Sequence, residues 1–256
     1  MIPDKQSPIA VFDSGAGGLS VLAALKRFMP CEDYIFLGDR KNAPYGDKSH
    51  DEIRRISLEN AGMLFGMGAK ALVIACNTAT AAAVDTVREA FPQYAVIGIE
   101  PAVKPAFEAG CRRIAVLATP RTVSEDRFSR LLRSYGNQYG GQAFGIGCRG
   151  LATMIEENTV SADYFTKLWK EHFGDGFPDG IVLGCTHYPF ASDVIKDSLP
   201  EGIPVFDGAD GTARQTCRRL GEAGLLTENA AKGRILMPCD DGFLAAFWKT
   251  HCPAYQ

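Results

Sequence analysis

Two of the chain's eight cysteines close strand-like apolar runs: Cys76 in "ALVIACNTAT" and Cys185 in "GIVLGCTHYP". A buried strand needs no thiol at its end, and each of these is followed at once by polar residues, Asn77 and Thr78 in one case, Thr186 and His187 in the other. Two opposed thiols, one deprotonated and one protonated, can remove a proton from one face of a carbon and deliver one to the other. That inverts a stereocentre without a cofactor, and chemically identical groups can exchange roles to run the reaction in both directions. A helix starting near Thr80 would aim its positive end at Cys76 and favour the thiolate. Cys185 with His187 also reads as an activated nucleophile for acyl transfer, but that chemistry leaves Cys76 idle.

Other residues could serve the same site. "FDSGAGGLSVL" at 12–22 is a strand end, a glycine turn and a helix start. Ser20 stands where a dinucleotide fingerprint has its third glycine, and no Gly-Lys-Ser/Thr follows for a phosphate loop. The turn can instead offer amides, and Ser14 a hydroxyl, to a carboxylate. Asp13 reads either as a helix cap or as a proton-handling carboxylate beside the strand ends. "NAPYGDKS" at 42–49 is a proline turn leading into a helix capped near Ser49. Its Tyr45 and Gly46 fit a packed turn and a ligand-binding loop equally well. His187 is within reach of a strand-end thiol, whereas His50, His172 and His251 have no such company.

These residues need a scaffold. Apolar runs at 9–12, 34–38, 71–75, 96–99, 113–118, 180–184 and 204–207 alternate with helical patterns at 20–28, 49–67, 80–91, 123–135 and 209–223. Continuous apolar strands suit burial on both faces, so the fold class expected is α/β with mainly parallel sheets. A weak repeat runs through them. "PIAVFD" resembles "RIAVLA", "ALVIACNTAT" resembles "GIVLGCTHYP", and "VIGIEPA" resembles "PVFDGAD", in one order and at nearly constant offset. Two similar three-layer α/β lobes follow, 1–97 plus 208–256 with Asp13 and Cys76, and 98–207 with Cys185 and His187. Ligands of open α/β sheets bind beyond the carboxyl ends of the strands, and both cysteines fall there. If the lobes face each other across a pseudo-dyad, the thiols flank one cleft.

Composition excludes several classes. The formal charge is −3, from 27 basic and 30 acidic residues well mixed along the chain, which leaves no basic stripe for nucleic acid and no polybasic membrane patch. The N-terminus lacks a basic segment followed by a long apolar one, and no apolar run reaches the roughly 18 residues of a membrane span, so a soluble cytoplasmic protein is expected. The cysteines form no CxxC pair, which argues for free thiols. No metal is expected either, since Cys185 with His187 is the closest pairing and leaves two zinc ligands unaccounted for.

"FDSGAGGLSVL", "PYG", "ACNTAT", "GIEPAVKPA" and "GCTHYP", in this order and spacing, closely resemble the glutamate branch of the aspartate/glutamate racemase family. The resemblance runs from about Ile9 to Asp207, and more faintly beyond. It implies cofactor-independent interconversion of L- and D-glutamate by two cysteines, the D-isomer serving peptidoglycan. Cys76 would take the α-proton of the D-isomer and Cys185 that of the L-isomer, with Asp13 assisting the first, and His187 and Glu156 the second. Substrate binding carries over to Asp13, Ser14, Tyr45, Gly46, Asn77, Thr78, Thr122, Thr186 and His187. Family members commonly pair as homodimers. Two places depart from the family pattern: "CRGLATMIE" at 148–156 replaces an apolar, proline-containing run, and Arg121 stands where glycine is common. They motivate an alternative, the same scaffold acting on aspartate or another amino acid. A module that binds an amino acid or a protein without turnover is the distant alternative, since it has no need of two strand-end thiols.

Overall fold

The computed structural model describes residues 3–239 and 242–255. Its first four strands are β1 (Ile9–Asp13), β2 (Tyr34–Gly38), β3 (Ala71–Ile74) and β4 (Ala95–Gly98). The next five are β5 (Arg113–Ala118), β6 (Gln142–Gly147), β7 (Gly180–Leu183), β8 (Val205–Asp207) and β9 (Ile235–Leu236). The chain divides into two units, Met1–Glu100 with Ala209–Gln256, and Pro101–Gly208.

The first unit holds a five-stranded sheet in the order β4-β3-β1-β2-β9, parallel at every pairing. Because β1, β2 and β3 are apolar at nearly every position, they are buried on both faces. Ala10, Phe12, Ile35, Leu37, Leu72 and Ile74 share a core with side chains of the helices His50–Gly66 and Asn77–Ala90. The alternate residues Ile9, Val11, Phe36 and Val73 are just as buried and point to the other face, as the pleat requires. There the helices Leu19–Phe28 and Ala209–Glu222 pack together. Each fully buried Val, Leu, Ile or Phe contributes about 1.5–3 kcal/mol of transfer free energy. Under the sheet, Lys70 and Glu32 form a fully buried ion pair at 2.5 Å. Glu32 also accepts from the Thr227 amide at 2.8 Å, which ties the returning C-terminal segment to this unit.

The second unit holds a four-stranded parallel sheet, β6-β5-β7-β8. Ala115, Leu117, Ile181 and Leu183 pack with the helix Ala162–Phe173, and Ile114, Val116 and Val182 with the helices Val103–Glu108 and Asp126–Tyr139. The two topologies repeat. In each unit the first strand has its successor on one side and the third strand on the other, so β5, β6, β7 and β8 reproduce the arrangement of β1, β2, β3 and β4. The strands matched by the sequence repeat are the ones in equivalent places. Both units are thus parallel α/β folds with helices on both faces of the sheet.

Several expected boundaries move. The helix expected from Thr80 begins at Asn77, because Cys76 rather than a later hydroxyl caps it. The one expected at 123–135 is two, Pro120–Val123 and Asp126–Tyr139, with the first capped by Thr119. Strand β6 and the helix Ala162–Phe173 were outside the expected elements. In β6 two glycines break the apolar pattern, and Gly145 is there because a Cβ would lie 2.6 Å from the Phe128 ring. All eight cysteines are free thiols. Among the described residues no helix is long and apolar enough to cross a membrane.

Candidate active site

Asp13, the last residue of β1, is completely buried. Its Oδ1 accepts the Gly15 amide at 2.8 Å, and its carbonyl accepts the Asp39 amide at 2.8 Å, so the carboxylate is held where the strands end. The next turn must pass very close: a Cβ on Gly18 would stand 2.5 Å from the Asp13 Cβ. The order in which the chain adds strands reverses between β1 and β3, and such switch points are where open α/β sheets bind ligands.

Cys76 lies just beyond β3 on that side. Its Sγ accepts the Ala79 amide at 3.4 Å as the N-cap of Asn77–Ala90, and lies 3.4 Å from Ser14 Oγ. A thiol at the start of a 14-residue helix sits at the positive end of the macrodipole, which favours the thiolate. Asn77 begins the helix with a buried side chain, and neither its Nδ2 nor its Oδ1 has a hydrogen-bond partner among the described residues. Burying such a group unpaired costs about 1–3 kcal/mol, so an amide left this way is suited to a ligand's carboxylate. Thr78 is buried beside it.

Tyr45 belongs to the short turn Tyr45–Asp47, which packs against the same helix. Its ring is buried 6.2 Å from that of Phe12, and its hydroxyl donates to Asp39 Oδ2 at 2.7 Å. Burial and then the bond to Asp39 push the phenol far above its ordinary range, so it stays protonated. Since that proton already has an acceptor, what the Tyr45–Gly46 loop offers a ligand is its backbone rather than the phenol.

In the second unit the equivalent switch point lies between β5 and β7. Gly184 continues β7, donating to the Leu117 carbonyl at 2.6 Å, and an added Cβ would stand 2.8 Å from that oxygen. Cys185 follows, nearly buried, with its Sγ 3.9 Å from His187 Nδ1. His187 Nε2 lies 2.8 Å from Glu156 Oε1. An ionised carboxylate only accepts, so the proton belongs on Nε2, and Nδ1 is left to take a proton from the thiol or, as imidazolium, to stabilise a thiolate. Thr186 is buried, and Thr122 Oγ1 lies 2.9 Å from Thr119 Oγ1 at the end of β5. Cys148 sits nearby with its thiol pushed up to about 12, chiefly by burial.

Residues 20–216 match the model of the Asp/Glu/Hydantoin racemase family. The chain belongs to this family. A glutamate racemase of Clostridium perfringens is 42% identical over 237 residues, covering 90% of each chain. Among solved structures, the glutamate racemase of Francisella tularensis in complex with D-glutamate aligns with a TM-score of 0.83 at 27% identity, covering 97% of this chain and 94% of that one. The Escherichia coli glutamate racemase, solved with L-glutamate, gives 0.81 at 27% identity, covering 97% and 95%. The racemase described here is therefore an isomerase, an amino-acid racemase.

Within each unit the structure gathers the residues singled out from sequence: Asp13, Ser14, Tyr45, Asn77 and Thr78 with Cys76, and Glu156, Thr186 and His187 with Cys185. Glu156 reaches His187 although its segment departs from the family's usual pattern. Arg121 gives its guanidinium to the buried carboxylate of Glu125, one helical turn on. Sequence reasoning missed Asp39, Asn42 and Asn60, a hydrogen-bonded set around Tyr45. Asp39 immediately follows β2, and that strand-end position was the available signal.

Proposed function

We propose that this racemase interconverts L- and D-glutamate, with Cys76 and Cys185 as the two bases acting on opposite faces of the α-carbon. The observation that carries the reading is the repetition: each unit ends its third strand on a nearly buried thiol beside its own switch point, and each thiol has its own proton-handling company. From D-glutamate, the Cys76 thiolate takes the α-proton and becomes a thiol. The electron pair left on carbon delocalises into the α-carboxylate. The Cys185 thiol then donates its proton to the opposite face and becomes the thiolate, ready for L-glutamate in reverse.

The α-proton of an amino acid is weakly acidic, so charge developing on the carboxylate needs fixed donors. The amides of residues 15–18, the unpartnered amide of Asn77 and the hydroxyls of Thr78 and Thr186 supply them. Tyr45 and Gly46 bind the substrate through their backbone, Thr122 through its hydroxyl. Asp13 assists Cys76, and His187, oriented by Glu156, assists Cys185. The kinship with glutamate racemases supports glutamate as the substrate, and the D-isomer made in the cytoplasm supplies peptidoglycan biosynthesis. The engagement of Arg121 by Glu125 weakens one of the two motives for a different side-chain preference, the other being the 148–156 segment.

The test is incubation of reduced protein with each enantiomer of glutamate and of aspartate in D2O, following optical rotation and α-deuterium together. Loss of rotation with deuterium incorporation for glutamate is expected. Silence with every substrate, in folded protein, would sink the reading; turnover of aspartate alone would reassign the substrate.

A further inference from the structure

The Asp39 carboxylate, 8% exposed, collects more hydrogen bonds than any role in packing requires. Tyr45 donates its hydroxyl to Oδ2 at 2.7 Å, Asn60 donates Nδ2 to the same oxygen at 2.9 Å, and Asn42 Nδ2 lies 3.0 Å from both oxygens. Asn60 Nδ2 is also 3.4 Å from the Tyr45 hydroxyl. The Asp39 amide in turn donates to the Asp13 carbonyl at 2.8 Å. One residue therefore joins the end of β1, the Tyr45–Asp47 turn and the helix His50–Gly66.

We infer that Asp39 is a positioning residue: clamped by Asn42 and Asn60, it fixes the Tyr45–Gly46 backbone against the carboxyl end of β1 and so sets the affinity for substrate. The inference rests on the proposed glutamate racemisation and concerns the same site. A carboxylate is suited to this task because its oxygens can accept several donors at once, and bonds to a charged acceptor are stronger than neutral ones. Nearly buried, it loses water that would compete for those donors. The phenol is thereby committed to the scaffold, and a small shift of the turn would move the Tyr45 and Gly46 amides together.

The test compares wild type, Asp39→Asn, Tyr45→Phe and the double variant, each checked for folding by circular dichroism. Losing one charge-assisted bond should raise KM for glutamate about tenfold while kcat changes little. Because both changes act on the same contact, one removing its charge and the other its donor, the double variant should be no worse than the more impaired single one. Unchanged KM in folded Asp39→Asn, or a fall in kcat at constant KM, would overturn the inference while leaving racemisation intact. The second readout needs no substrate: the Tyr45 13Cζ resonance should move in Asp39→Asn. If wild type fails to exchange the α-proton, the functional reading falls, and that resonance still decides the role of Asp39: movement supports it and immobility overturns it.

Discussion

The two cysteine sites share a topology and differ in what surrounds the thiol. Cys76 caps a 14-residue helix, with an amide on its sulfur, a serine hydroxyl alongside and the buried carboxylate of Asp13 on the adjoining strand. Cys185 is followed only by the 3-10 turn Tyr188–Ala191 and the six-residue helix Ser192–Asp197. A helix dipole acts on its first turn, so a thiol without a long helix in register needs another source of positive charge. In the second unit the group placed to supply it is His187, held by Glu156. The same strand-end thiol is thus served by backbone amides and a carboxylate in one place, and by an imidazole–carboxylate pair in the other.

Replacing either thiol should have the largest effect. Cys76→Ala and Cys185→Ala are each expected to lower racemisation by roughly 10³-fold or more, since each removes one of two proton-transferring groups. Their circular dichroism spectra should match wild type, because each change removes a single buried atom beyond the end of a strand and leaves the sheet hydrogen bonds in place. Full activity in either would eliminate the two-base scheme.

The assisting groups separate the two sites more finely. Asp13→Asn and His187→Asn should each cost about 10²-fold, within the range of general acid–base assistance. Enantiomers have equal free energy in water, so either variant must lower kcat/KM equally in both directions. The asymmetry appears in the isotope effect instead: with α-deuterated substrates, Asp13→Asn should enlarge it for D-glutamate and His187→Asn for L-glutamate. Effects of equal size for both enantiomers would mean that the two sites are not specialised. Glu156→Gln removes only the orienting charge behind His187 and should cost about tenfold, comparable to one charge-assisted hydrogen bond.

Smaller effects test the scaffold. Gly18→Ala places a Cβ against Asp13, and the strain should destabilise the fold by about 1–3 kcal/mol, read as a lowered midpoint of urea unfolding. Gly66→Ala, where an added Cβ meets nothing within 4 Å, is its control. Thiol reactivity should also differ between positions. Cys148 and Cys252, pushed up by burial to about 12 and about 11, should resist iodoacetamide near pH 8, while Cys76 and Cys185 are alkylated, as read by peptide mass spectrometry.

The sheet cores were legible because burial on both faces leaves a continuous apolar run, which needs no partner to be recognised. β2 and β5 fall on the expected residues, 34–38 and 113–118. β6 was not legible: it lies at the sheet edge, is partly exposed, and carries two glycines, of which Gly145 is demanded by the neighbouring Phe128. Helix starts were misjudged where the cap was unusual. A search for Ser, Thr, Asp or Asn passes over a cysteine, so Asn77–Ala90 was expected three residues late.

Sequence alone determined that two thiols end equivalent strands, because strand-ending residues follow apolar runs at a spacing written locally in the chain. It also determined the family, through "ACNTAT" and "GCTHYP" taken together. Only the tertiary structure decided the company each thiol and loop keeps: Glu156 with His187, Asn60 with Asp39, and the Tyr45 phenol turned to the scaffold. Those partners are 31, 21 and 6 residues apart, and whether they meet depends on strand order and helix placement rather than on any period in the sequence. A buried polar group must find a partner, and the fold selects which one.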